Sequence, residues 1–190
     1  MNYIEEAMRT RSGKYNECNH DIEHGIIGLM TESVELLESI INCNLKDDLD
    51  YVNILEECGD LCWYLAILCF GYGWKFEDFK KMKKPNNVEM DEVVIDSIDR
   101  INISAGKMLD CLKKYHFYGV VFDDKYMKTL SQIIFNNINL ICFACNTDIE
   151  KIKETNIKKL KARYPDKWTK ETATDRDLEN ERSILEENRD

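Results

Sequence analysis

Apolar residues recur every three or four positions along nearly the whole chain, and alternating strand-like stretches are scarce. This pattern predicts helices at about residues 2–10, 22–43, 50–70, 76–83, 89–115, 124–145 and 148–162. Lys84-Pro85-Asn86-Asn87 is the clearest break, and Tyr164-Pro165 stops the last strongly periodic run, because proline lacks the amide hydrogen that would continue a helix. Residues 169–190 are charged and predict a C-terminal tail or a surface helix starting near Thr174. Only 2 Pro and 8 Gly punctuate the chain, which suits long helices and short turns. The expected fold is all-α, a four-helix-bundle core within residues 1–168.

The stretches on either side of Pro85 share an order of long helix, loop, long helix and short amphipathic segment. Laying one on the other pairs Leu36-Leu37 with Met108-Leu109, and residues 76–83 with 149–156. Ser104 and Lys107 then stand opposite Glu32 and Glu35, and with a small gap Ile133 and Asn136 stand opposite Glu57 and Asp60. The expectation is a catalytic half at 1–84 and a degenerate companion half at 88–168 that supplies scaffold and one wall of a pocket.

The acids carry the chemistry. Glu32-Ser33-Val34-Glu35 and Glu57-Cys58-Gly59-Asp60 each place two carboxylates three residues apart, hence on one face of a helix. One such pair is ordinary on a solvated helix face, but both pairs here border strongly apolar surface: Leu29, Met30, Leu36 and Leu37 in the first, Leu61 to Leu65 in the second. Carboxylates crowded beside a dry core repel one another, and a hard divalent cation relieves that repulsion. A magnesium site, with manganese as a substitute, points to phosphoanhydride or phosphate-ester chemistry.

Composition narrows the class further. A net charge of -10 over 190 residues argues against a grip on a nucleic-acid backbone. No run reaches the roughly 18 apolar residues of a membrane span, and no basic segment followed by an apolar stretch opens the chain, so a cytoplasmic protein without a membrane partner is expected. Of the 8 cysteines, Cys58, Cys62, Cys69, Cys142 and Cys145 lie in helical apolar patterns. Cys142-x-x-Cys145 has no second ligand pair at zinc spacing, so buried reduced thiols are expected.

The segment from His24 to Leu37, followed by Glu56-Glu57-Cys58-Gly59-Asp60-Leu61-Cys62-Trp63-Tyr64-Leu65, resembles the MazG-like branch of the all-α nucleoside triphosphate pyrophosphohydrolases, whose signature is ExxE, a spacer and ExxD. Tyr3 to Thr10 resembles the family's opening helix, and Asn156 to Pro165 is similar to the Asn-x-x-Lys-Leu-x-x-Arg-Tyr-Pro run of phage-type members. The resemblance implies that Glu32, Glu35, Glu57 and Asp60 hold magnesium and that Asn156, Lys159, Arg163 and Tyr164 approach the nucleotide. It also implies a viral or bacterial source, and the host cytoplasm as the compartment if viral. Two departures stand out. Val34 occupies a place where the family commonly has Gly, which is expected to narrow helix packing or the pocket. Nearly a hundred residues separate Asp60 from Asn156, a layout that resembles the dimeric dUTPase relatives.

The expected reaction is hydrolysis of a nucleoside or deoxynucleoside triphosphate to the monophosphate and pyrophosphate. Glu35 is the first candidate for proton acceptor, Glu38 and Glu56 are candidates to orient it, and Lys107, Lys159 and Arg163 could stabilise charge on the leaving group. Trp63, Tyr64, Trp74, Tyr15 and Phe122 could stack on a base, against the commoner reading of such residues as core, and His24 could line the pocket or satisfy backbone groups. Alternatives on the same fold are a dUTPase, a dCTP-directed enzyme or an alarmone hydrolase. From another class comes a non-catalytic helical interaction module. The long apolar faces predict a homodimer or higher homo-oligomer.

Overall fold

The computed structural model describes residues 16–43, 50–83, 90–164 and 177–186, which form six α-helices and no strand. In chain order these are α1 (His20–Cys43), α2 (Tyr51–Tyr72), α3 (Met90–Tyr118), α4 (Asp124–Ala144), α5 (Ile149–Arg163) and α6 (Leu178–Glu186). The fold class is therefore all-α. The expected helix at 2–10 and the break at 84–87 lie outside the described residues.

Local chemistry explains where the helices begin and end. Asp50, Asp123 and Asp148 each accept a hydrogen bond from backbone N–H groups of the turn that follows, which satisfies donors the first turn of α2, α4 and α5 would otherwise leave open. Gly73 closes α2 in a left-handed conformation (φ 67°) and donates its N–H to the carbonyls of Cys69 and Phe70.

Glycines decide how closely α1 and α2 approach. Gly25 lies against Leu68, Gly28 against Tyr64 and Gly71 against Ile22, so the two helices run antiparallel in close contact. A Cβ at Gly28 would fall 2.0 Å from the Tyr64 ring. α3 runs antiparallel to α1 on its other flank: Asn102 Nδ2 donates to the Ser33 carbonyl at 2.9 Å, and His116 meets Glu23 at 3.1 Å. α4 packs back along α3, α5 packs along α2, and α6 rests on α5. Leu29, Leu36, Leu61, Ile98, Met108 and Ile134, all fully buried, join the first four helices in one apolar core. Cys58, Cys62, Cys69 and Cys142 are unbridged and buried, and burial pushes their thiol pKa values up.

One expectation needs correction. Residues 76–83 do not form a helix; only Phe76–Asp78 makes a single 3-10 turn. Phe79 is drawn into the core against Phe76 and Phe135, and Gln132 of α4 bonds both the N–H and the carbonyl of Lys80, so the following chain is held open rather than wound. The expected C-terminal surface helix is present as α6, which buries one face through Glu181 and Leu185 and leaves the rest exposed or half-buried. None of the described helices is long and apolar enough to cross a membrane.

The glycine seam makes a paired prediction for thermal denaturation. Gly28→Ala should lower stability by about 1–3 kcal/mol, as overpacking does. Gly106→Ala, where a Cβ meets nothing within 4 Å on α3, should raise it by about 0.5–1 kcal/mol.

Candidate metal centre and cleft

The glycine seam sets the register of the acids. With Gly28 facing Tyr64, the antiparallel pair carries Glu32 level with Asp60 and Glu35 level with Glu57. One carboxylate oxygen from each of Glu32, Glu35 and Glu57 lies within 4.8 Å of the other two. Glu35 is exposed, Glu32 half-buried and Glu57 buried, so the cluster runs from solvent into the α1–α2 seam.

Asp60, expected as a fourth ligand, turns toward α5 instead. Its two oxygens accept from Asn156 Nδ2 at 2.6 Å and from Lys159 Nζ at 2.5 Å. Lys159 is only 1 % exposed and also donates to Glu56 at 3.0 Å. Burial works against its charge, but the carboxylates of Asp60 and Glu56 outweigh that and hold its ammonium above the ordinary lysine value. Asn156 and Lys159, expected at the nucleotide, thus tie α5 to the acid helix. Gly59 permits the approach: a Cβ there would lie 3.0 Å from the Asn156 Cβ.

The remaining expected residues divide between the cleft and elsewhere. A cleft of about 1020 Å³ opens over the acids, and its walls include Glu32, Glu35, Glu57, Asp60, Lys161, Arg163 and Tyr164. His24, Trp63 and Tyr64 form one aromatic wall, with ring centroids 4.8 to 5.9 Å apart in edge-to-face contacts. Arg163 sits at the rim with its guanidinium forked onto Glu181 of α6, and that hydrogen-bonded pairing raises its pKa. Lys107 is not part of the cleft wall. It is exposed on α3, which meets α1 through Asn102 on the flank away from α2. Val34 is 38 % exposed and stays out of the cleft, so it does not narrow the site. Trp74 stacks on Tyr72, and Phe122 stacks on Tyr115, both away from the acids; Tyr15 lies outside the described residues.

The electrostatics of the cluster are those of negative charge held too close in a dry place. Burial first, then the charges of Asp60, Glu32, Glu35 and Glu56, push the Glu57 pKa up from 4.5 to about 9. Glu32 rises to about 7 through burial and the charges of Asp60 and Glu35, against the opposing hydrogen bond from Glu57 and the charge of Lys159. Glu57 Oε2 is buried with no hydrogen-bond partner among the described residues. An orphaned carboxylate oxygen beside two further carboxylates fits a hard divalent cation, and the all-oxygen donor set suits magnesium or manganese over zinc.

Sequence reasoning missed Glu181 and Asn102. Glu181 lies in a charged tail whose spacing gives no sign that it closes on Arg163. Asn102 holds Ser33, the residue inside the first acid pair, and nothing in its helical neighbourhood marks it out.

A carboxyl whose folded pKa lies above its unfolded value of 4.5 leaves the unfolded state better ionised, so the folded state loses ground as pH rises. For Glu57 the window runs from about 4.5 to about 9. Differential scanning fluorimetry without metal should show wild-type protein falling steadily behind Glu57→Gln across that window. Added Mg2+ should raise the wild-type Tm at pH 8 and leave the variant unmoved.

Comparison with protein-family models, with curated proteins and with solved structures finds no match to this chain, so its own geometry carries the functional argument.

Proposed function

We propose that the chain is a magnesium-dependent nucleoside triphosphate pyrophosphohydrolase of the MazG-like all-α kind. It would hydrolyse a nucleoside or deoxynucleoside triphosphate to the monophosphate and pyrophosphate. The observation that carries this reading is the trio of carboxylates within 4.8 Å of one another, lining an open cleft, with one oxygen of Glu57 buried and without a hydrogen-bond partner among the described residues. Glu32, Glu35 and Glu57 would hold the ion. Magnesium bound there supplies positive charge against the triphosphate oxygens and makes a water more acidic.

The protein's own groups do the rest. Glu35, the exposed member of the trio, is placed to accept the proton of the water that attacks the α-phosphorus, while the bond from that phosphorus to its bridging oxygen breaks and pyrophosphate departs. Lys161 and Arg163 on the rim lie where a polyphosphate tail would run. The wall of His24, Trp63 and Tyr64 offers apolar surface and ring edges for a nucleobase. Lys159 neutralises Asp60 and Glu56, which keeps the cleft from repelling its own anionic substrate. A second copy of the chain belongs to the same reading. Ile27, Val34 and Ile41 on α1, with Ile95 and Leu109 on α3, recur at multiples of seven and are 37 % to 53 % exposed, a stripe suited to a self-complementary contact.

One observation favours a second reading, a non-catalytic helical module with a structural metal site: Lys159 and Arg163 are already satisfied by acids of the chain itself. Pyrophosphate release across a panel of nucleoside and deoxynucleoside triphosphates separates the two. Wild-type protein should release pyrophosphate only with Mg2+ or Mn2+, and Glu35→Gln and Glu57→Gln should each lower kcat/KM by about 100-fold or more, the scale of a lost positioned acid-base or metal-holding group. Magnesium binding without pyrophosphate from any nucleotide would leave the module reading in its place.

A further inference from the structure

We propose that α6 is an internal competitor for the polyphosphate tail: the Glu181 carboxylate occupies the guanidinium fork of Arg163, and an anionic ligand in the cleft must take its place. The inference rests on the proposed function in treating the cleft as a polyphosphate site. Arg163 Nε and Nη2 donate to the two oxygens of Glu181 at 2.9 and 2.5 Å. The pair is withdrawn from solvent, its side chains 15 % and 4 % exposed. A guanidinium presents parallel donors that match two oxygens of a carboxylate or of a phosphate equally well, so the same fork serves both ligands and not both at once.

The position of α6 makes the competition direct. Its first residue, Leu178, lies on the wall of the acid cleft together with Arg163 and Tyr164. Lys159 is committed to Glu56 and Asp60, so among the described residues Lys161 and Arg163 are the cations that line the cleft, and Glu181 pairs with one of them. The helix is also poised to leave. It has nine residues, too few to stay wound without tertiary support. Its contacts among the described residues include buried Leu185 and the fork of Arg182 on Asp50, whose side chains are 41 % and 45 % exposed and open to solvent screening. A phosphate that draws Arg163 away removes from the buried Glu181 carboxylate the fork the two side chains now share, and the seat of α6 is weakened by that loss.

Titration calorimetry with tripolyphosphate in the presence of Mg2+ tests this on the full chain. Glu181→Gln should bind about tenfold tighter than wild type, the equivalent of about 1.4 kcal/mol. Leu185→Ala, which loosens α6 without touching the fork, should shift affinity in the same direction and carries the test if Glu181→Gln does not fold. Arg163→Met should bind more weakly and should erase the gain when combined with Glu181→Gln. Unchanged or weaker binding by the variants overturns the inference, as does a gain that survives loss of Arg163. Tighter binding by proteins that hydrolyse no nucleotide would sustain the inference while counting against the proposed reaction. Hydrolysis by wild type with no gain from either variant would do the reverse.

Discussion

The structure turns on the close antiparallel contact of α1 and α2, because that contact forces four acids into one seam. Gly25, Gly28 and Gly71 remove the side chains that would hold the helices apart, and the resulting register sets Glu32 beside Asp60 and Glu35 beside Glu57. Carboxylates in that arrangement cannot all ionise without help. The protein relieves one of them by a fixed cation: Lys159, buried and bonded to Asp60 and Glu56, brings a permanent positive charge on α5. The other three stay crowded together, and Glu57 Oε2 has no hydrogen-bond partner among the described residues. A site that is costly while empty and relaxed when loaded with a divalent ion is the physical basis of the proposed chemistry.

The rest of the fold keeps that seam in place. α3 supports α1 from the far side through Asn102, which bonds the backbone of Ser33 between the two acids of the first pair. α5 reaches α2 over Gly59 and aims Asn156 and Lys159 at the second pair. Each of these contacts joins an acid helix to a helix far along the chain, so the companion helices serve the site even though they bring no carboxylate into the trio. The cleft above it is lined by the acids, by the aromatic group of His24, Trp63 and Tyr64, and by Lys161 and Arg163.

Much of this was legible in the sequence because helical periodicity and acid spacing are local properties. The long helices fall within a few residues of the periodic runs, and the two acid pairs stand out from one strand of text. What could not be read depends on distant partners. Asp60 looks like a ligand by its place in ExxD, yet its contacts are set by Asn156 and Lys159 nearly a hundred residues away. Residues 76–83 have a helical pattern, but Gln132 captures the backbone of Lys80 and leaves a single turn. Lys107 matched Glu35 in an internal alignment, a comparison blind to which flank of α1 the third helix would choose. Arg163 has the chemistry of a phosphate ligand, while the carboxylate that holds it sits in a tail with no motif of its own.

Glu32, Glu35 and Glu57 are proposed to form a single divalent-cation site. Anomalous diffraction from crystals soaked in Mn2+ addresses it without reliance on activity. A peak bridging those three carboxylates, with Glu57 Oε2 among the ligands, is the result expected. Density for the ion elsewhere, or an unchanged trio with no peak between its oxygens at saturating Mn2+, would rule that site out.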